Sequence, residues 1–250
     1  MYFDIVQSGS KGNATLVFSS TSLILIDMGI TYKELEVELV KFNKTYKDID
    51  AVLITHNHAD HLKSIKSFSP KKIYALEGTL PGSLSNVVEL EKPFKINDTE
   101  VIAFETSHDA KNPCGYLIKD KDSKLVYMTD TGVYLEKNTP LLKNPDYLII
   151  ECNHDIQMLL HTNRPIELKQ RIMSEYGHLC NEDSAFASLE IIGDKTKEII
   201  LAHISEEANT PECALEAYNK VFKHAHVDIN RFNVRVANQH IPLIGGDYEH

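Results

Sequence analysis

The apolar run Ala51-Val52-Leu53-Ile54 passes almost directly into His56-Asn57-His58-Ala59-Asp60-His61, and no other stretch restricts the fold as much. A short apolar run of this kind reads as a strand buried on both faces, so the polar cluster sits where that strand opens into a loop. Side chains alternate along extended backbone, which turns His56 and His58 to one side, where both can hold a single ion. Asp60 and His61 follow once the chain has begun to turn, placing a carboxylate and an imidazole together on a second ion. One histidine after a strand is ordinarily a hydrogen-bonded structural residue. A cluster this dense is not explained that way.

The same ending recurs further along. Residues 101–104, 125–128, 147–150 and 199–201 read as buried strands that lead to His108, Asp130, Glu151 and His203. In layered α/β folds, ligands bind in the crevice outside the carboxyl ends of the strands. Nearer the N-terminus, strands are expected at 3–6, 15–18 and 23–27. The turn Ser8-Gly9-Ser10-Lys11-Gly12-Asn13 has the make-up either of a phosphate-binding turn or of an ordinary hairpin loop. A helix should start at Thr31, where Thr31 and Glu34 match a capping box. Further helices are expected at 165–176, 182–192 and 211–224, with Pro165 in the first turn of one, Asn181 capping the next and Thr210 before the third. A last strand at 231–236 and a short polar tail follow.

With 250 residues, 42% of them hydrophobic, the chain can bury a full core. No linker-like tract interrupts it, so one domain over 1–250 is expected. Met1-Tyr2-Phe3-Asp4 lacks the basic and apolar regions of a signal peptide, and no apolar run approaches the ~20 residues that span a bilayer. The expected location is cytoplasmic, without membrane contact. Cys114, Cys152, Cys180 and Cys213 show no CxxC spacing, which argues against a disulfide framework or a thiolate zinc site. The net charge of −10 gives a weak long-range field for nucleic acid, yet divalent cations and a local basic patch can still dominate at a cleft.

The segment from His56 to His61 resembles the HxHxDH signature of the metallo-β-lactamase superfamily. That resemblance implies an α/β (α+β) fold, a four-layer αββα sandwich with one or two metals at its strand ends. His108, Asp130 and His203 match the superfamily's third histidine, bridging aspartate and last histidine. By resemblance, metal one takes His56, His58 and His108; metal two takes Asp60, His61 and His203; Asp130 is shared, and Asp60 counts among the catalytic groups too. This all-nitrogen and oxygen set suits two divalent ions, with Zn²⁺ the first choice and Mn²⁺ or Fe²⁺ also accommodated. Asp130 speaks against a β-lactamase of the common zinc type, which carries a cysteine ligand there.

Thioesterases and lactonases share those ligands, so a second pair decides the reaction. Ile149-Ile150-Glu151-Cys152-Asn153-His154 and Gly177-His178-Leu179-Cys180-Asn181-Glu182 resemble the Glu and His motifs of tRNase Z-like phosphodiesterases. The resemblance implies that a metal-bridging hydroxide attacks phosphorus while His178, held by Glu151, protonates the departing oxygen. A ribose or deoxyribose alkoxide is a poor leaving group and needs such an acid. Together with Ser8-Gly9-Ser10-Lys11-Gly12-Asn13-Ala14-Thr15 and the run from Leu201 to Thr210, these segments look like the YycJ (WalJ) family, which implies a bacterial 5′-to-3′ DNA exonuclease. Cys114 and Cys180 depart from related sequences, but neither is an expected ligand. Arg164, Lys169 and Arg171 form a compact basic group suited to phosphate, and His154 is a further candidate for substrate contact. Two alternatives stay open: a hydrolase of small phosphodiesters or thioesters, and a ribonuclease.

Overall fold

Strand after strand in this chain is apolar at consecutive positions because each is covered on both faces. The computed structural model describes residues 1–82 and 84–248. Among the described residues the strands are β1 (Tyr2–Gln7), β2 (Ala14–Phe18), β3 (Leu23–Ile26), β4 (Ala51–Leu53), β5 (Ile73–Leu76), β6 (Asn86–Val88), β7 (Phe94–Ile96), β8 (Thr99–Glu105), β9 (Cys114–Lys119), β10 (Lys124–Met128), β11 (Tyr147–Glu151), β12 (Glu198–Ala202), β13 (Asn233–Val236) and β14 (Leu243–Gly246). They make two sheets, in the orders β14-β1-β2-β3-β4-β5-β6 and β13-β12-β11-β10-β9-β8-β7. Strands β3 to β6 run parallel, as do β10 to β13. β8 points the same way as β10, since β9 is antiparallel to both.

Alternation then sorts each strand between two cores. Ile24, Ile26, Ala51 and Leu53 of the first sheet meet Tyr147, Ile149, Ile200 and Ala202 of the second in one central cluster. The intervening residues face outward. Leu25 and Val52 pack with Leu35 and Leu39 of α1 (Tyr32–Val40). On the far side, Leu148, Ile150, Ile199 and Leu201 pack with residues of α6 (Asn181–Ile191) and α7 (Pro211–His224). The result is the expected helix-sheet-sheet-helix sandwich. Shorter helices, α2 (Ala59–Leu62), α3 (Thr139–Leu142), α4 (Ile156–His161) and α5 (Ile166–Ile172), occupy connections. No helix among the described residues is long and apolar enough to cross a membrane.

The capping box at Thr31 and Glu34 forms as expected, and Thr210 Oγ1 accepts the Cys213 N–H to open α7. Three details differ. Cys180, not Asn181, caps α6. α5 stops at Ile172, short of Tyr176, and the chain turns back so tightly that the His178 N–H donates to the Ile172 carbonyl and a Cβ on Gly177 would lie only 2.2 Å from that oxygen. The expected polar tail contains β14, which pairs antiparallel with β1. All four cysteines are free.

One buried residue on β1 has an energetic signature. Asp4 is fully buried, and neither carboxyl oxygen finds a donor. Its neighbour is another carboxyl, Glu38 of α1, itself paired with Lys41. Burial, then Glu38, pushes the Asp4 carboxyl up to about 8. The folded protein therefore binds more protons than the unfolded chain between the ordinary carboxyl range near ~4 and about pH 8, so this group's stabilisation is lost as pH rises through that window. We expect Asp4→Asn to flatten the fall in melting temperature between pH 5 and 8 and to stabilise the protein by about 1–3 kcal/mol at pH 8. An unaltered pH slope in the variant would place the titration elsewhere.

Candidate metal centre

The strand ends bring the expected ligands to one place. β4 delivers His56, which is buried, and His58, which stands at the N-terminal cap of α2. Asp60 and His61 lie within that one-turn helix. From the second sheet, β8 leads to His108, β10 to Asp130, β11 to Glu151 and β12 to His203. Among the described residues four groupings have ligand atoms all within 4.8 Å of one another: His56 with His61 and Asp130; Asp130 with Glu151, His178 and His203; His56 with His58 and His108; and Asp60 with His61 and His203. The last two are the sets expected from the sequence. Asp130 lies between them, with Oδ2 3.4 Å from His61 Nε2 and Oδ1 3.8 Å from His108 Nε2 and 3.6 Å from His203 Nε2.

Four of the rings are fixed from behind. His61 Nδ1 donates to Asp27 Oδ2 at 2.7 Å, His108 Nδ1 to the Gly177 carbonyl at 3.0 Å, and His203 Nδ1 to Glu151 Oε1 at 2.8 Å. Thr55 Oγ1 meets His56 Nδ1 at 3.0 Å and donates to Asp27 Oδ2. Such outer contacts select the tautomer that aims Nε2 at a metal. The buried atoms His56 Nε2, His203 Nε2 and Asp130 Oδ2 have no hydrogen-bond partner, a cost that cations on these lone pairs would remove. Electrostatics agree. Burial disfavours charge on His61 and His203, but Asp130 with Asp27 on one ring and Glu151 on the other outweighs it and raises them to about 9 and about 10. Burial would raise Asp130, yet the surrounding histidines, His203 foremost, hold it well below the usual carboxylate range. The donor set fits divalent metals.

The backbone is bent to present these groups. Asp27, Asp130 and His203 all adopt positive φ, at 59°, 56° and 55°, where Asp and His are tolerated better than most residues. Left-handed residues clustered at strand ends are the kind of local strain that functional sites retain.

Residues 23–204 match the family described as "Beta-lactamase superfamily domain". The protein named Exodeoxyribonuclease WalJ of Streptococcus pneumoniae serotype 2 (strain D39) is 34% identical over 227 residues, covering 85% of this chain and 84% of that one. The chain is a metallo-β-lactamase-fold protein of the WalJ/YycJ family. Exodeoxyribonuclease YycJ of Bacillus anthracis is 32% identical, with 89% of each chain covered. Among solved structures, the metallo-β-lactamase fold protein YhfI from Bacillus subtilis superposes with a TM-score of 0.70 at 17% identity, covering 97% of this chain and 99% of that one.

Within this WalJ/YycJ-family site the remaining candidates separate. His178 Nδ1 donates to Glu151 Oε1 at 2.8 Å, and its ring lies between those of His108 and His203. The same Glu151 oxygen accepts from His203, so the carboxylate serves His203 as well as His178. Burial would raise Glu151, but His178 and His203 bring it down to about 2. Arg164 and Arg171 line a cavity of about 250 Å³ together with His178 and His203.

Two expected substrate contacts are corrected. Lys169 is buried, and its Nζ donates to the Leu160 and Thr162 carbonyls at 2.6 and 2.8 Å; it closes the end of α4, whose last carbonyls need donors. His154 is 1% exposed, and its backbone pairs with Cys180 at the base of the His178 loop, so a polymer cannot reach its ring. Sequence reasoning also passed over Asp27, which holds His61. Its signal was available: β3, like β10, is a buried apolar strand running out to an aspartate.

Proposed function

We propose that this chain is a dinuclear-metal nuclease, most simply a 5′-to-3′ DNA exonuclease. The protein is a metal-dependent phosphodiester-cleaving hydrolase in this reading, and the names of its relatives favour DNA as the substrate. The observation that carries it is the His178–Glu151 bond at the edge of the cavity. Divalent ions, when bound, supply Lewis acidity and an activated water. Zinc is the first candidate, with manganese and iron compatible with the same donors.

The chain's own residues do the rest. His56, His58 and His108 would hold one ion; Asp60, His61 and His203 would hold the other; and Asp130, which lies beside residues of both sets, would be shared. His178 gives its Nδ1 proton to the Glu151 hydrogen bond, which leaves Nε2 to carry the proton that the departing sugar oxygen needs. Glu151, buried and anionic, stabilises the charged imidazole. Arg164 and Arg171 face the same cavity and supply the positive charge that a nucleic-acid backbone requires near the metals.

The two arginines differ in how cleanly they can be tested. Arg171 is engaged by Asp109 through Nε and Nη2, and Asp109 Oδ1 lies 3.6 Å from His108 Nε2. Removing Arg171 therefore also frees the loop that carries a ligand. Among the described residues Arg164 pairs with the exposed Glu207, at 3.0 Å. Arg164→Ala should weaken DNA binding, lower the salt dependence of binding by about one counterion, and leave turnover of a small chromogenic diester unchanged. Equal losses on both substrates would make Arg164 a support of the site.

The assignment itself is tested with metal-reconstituted protein on DNA labelled at either end, on RNA and on a chromogenic diester. Stepwise release from the 5′ end of DNA is expected. Rapid turnover of the small diester without cleavage of any polynucleotide would favour a small-molecule hydrolase instead.

A further inference from the structure

The turn at 8–13, between β1 and β2, has no part in the chemistry outlined above, yet it grips one half of the centre. Asn13 is fully buried. Its Oδ1 accepts the Gly9 N–H at 2.9 Å and its Nδ2 donates to the Gly9 carbonyl at 3.1 Å, which fixes the end of the amide that faces the cluster. That end is the N–H₂ group: Nδ2 lies 2.9 Å from His61 Nε2 and 3.4 Å from Asp60 Oδ2. The Asn13 backbone N–H donates to the Asp60 carbonyl at 2.9 Å. At the other end of the turn, Ser8 Oγ accepts the His203 backbone N–H at 2.9 Å. Asp60, His61 and His203 are the residues grouped for the second ion. His56 and His108 are steadied elsewhere, by Thr55 and by the Gly177 carbonyl.

We infer that the 8–13 turn is the positioning element of the second metal site, clamping ligands that arrive from two different sheets. Asp60 and His61 follow a strand of the first sheet and His203 follows one of the second, so nothing within either sheet sets the distance between them. The turn, bonded to both, does. It has little freedom to drift: a Cβ on Gly29 would lie 1.6 Å from the Asp60 carbonyl oxygen and 2.5 Å from Asn13 N, and one on Gly12 would lie 2.7 Å from the Gly29 oxygen. Three backbone segments are thus in direct contact; an ion on His61 Nε2 would take the lone pair that faces Asn13 Nδ2, so the hold on the ligands runs through the Asn13 N–H to the Asp60 carbonyl, Nδ2 toward Asp60 Oδ2, and the His203 N–H to Ser8 Oγ. Groups that orient metal ligands typically tune affinity about 10–100-fold.

The inference rests on the two-ion reading, and the experiment separates the two. Metal-free protein is titrated with Zn²⁺ by calorimetry, with elemental analysis of the product, for the unmodified chain, Asn13→Ala and Ser8→Ala. Ser8→Ala removes a single hydrogen bond and guards against poor folding of the Asn13 variant. The expected result is a first binding step within about threefold of the unmodified protein and a second step weakened about 10–100-fold, less in Ser8→Ala than in Asn13→Ala. Equal weakening of both steps would reduce the turn to a general support of the fold, and two unaltered steps would remove its role; either overturns the inference. A single step in the unmodified protein would instead overturn the two-ion reading, and this assignment with it.

Discussion

His178→Ala should lose about 10²–10⁴ in rate on DNA while hydrolysing bis(p-nitrophenyl) phosphate at nearly the unmodified rate. The asymmetry follows from the leaving group. Nitrophenolate departs without a proton, whereas a sugar alkoxide does not, so only the second reaction depends on a positioned acid. His178 Nδ1 donates to Glu151, and because His178 also falls in a group with Asp130, Glu151 and His203 that could hold an ion, metal content decides between an acid and a ligand. Metal content, measured on the same samples, should stay constant. Loss of metal in His178→Ala, or equal loss on both substrates, would identify a ligand or a support and remove the main reason for preferring a phosphodiesterase. Glu151→Gln should be less selective than His178→Ala. From the sequence alone Glu151 orients only His178, but in the structure its Oε1 also holds His203, and Oε2 accepts the Thr131 and Leu179 N–H groups. Its replacement should lower metal retention as well as acid catalysis.

The second large effect belongs to Asp130. With one oxygen near His61 and the other near His108 and His203, it is the group that reaches both ligand sets. Asp130→Ala should retain at most one tightly held ion after reconstitution, with activity on every substrate falling together. Loss of a shared ligand should exceed the about 10–100-fold change in affinity that outer contacts produce. Because Asp130 has φ of 56°, alanine also adds backbone strain of about 1 kcal/mol. Asp130→Asn separates the two effects: asparagine tolerates that conformation but brings no negative charge. Metal loss in both variants is the expected outcome. Retention of two ions by Asp130→Asn would assign the carboxylate a structural role.

What the sequence revealed and what it hid divide along a physical line. The residues that the structure gathers at the strand ends were legible because buried apolar strands lead to them, and a run such as 51–54 announces both its strand and the point where it ends. The partners behind the ligands were harder to see. The buried run of β3 marks Asp27 as a strand-end aspartate, but its contact with His61, like that of Asn13 with Asp60, exists only after β1 to β4 have packed. Lys169 and His154 were misread for the same reason. A cation on a short helix is aimed by its neighbours, and here unpaired carbonyls at the end of α4 claimed Lys169. β14 was missed because Leu243-Ile244-Gly245-Gly246 is too short to show alternation. Gly245 is there because a Cβ would lie 2.4 Å from the Phe3 ring, a constraint invisible without β1 beside it.

The pairing of β14 with β1 bears on how the molecule is made. The strand that comes last along the described chain completes the sheet that comes first, while β13, just before it, joins the other sheet. During synthesis, β1 therefore waits with one edge unpaired, and the inner face of its sheet lacks a cover until the second sheet forms. The ligands share this delay. His56, His58, Asp60 and His61 leave the ribosome early, but the groupings that could hold ions stay incomplete until His108, and then Asp130 and His203, have followed. A nascent chain stalled before His203 would hold an incomplete second site and an open sheet edge. Truncation near the C-terminus should then be seen first as aggregation of the growing chain, before any deficit in catalysis can be measured.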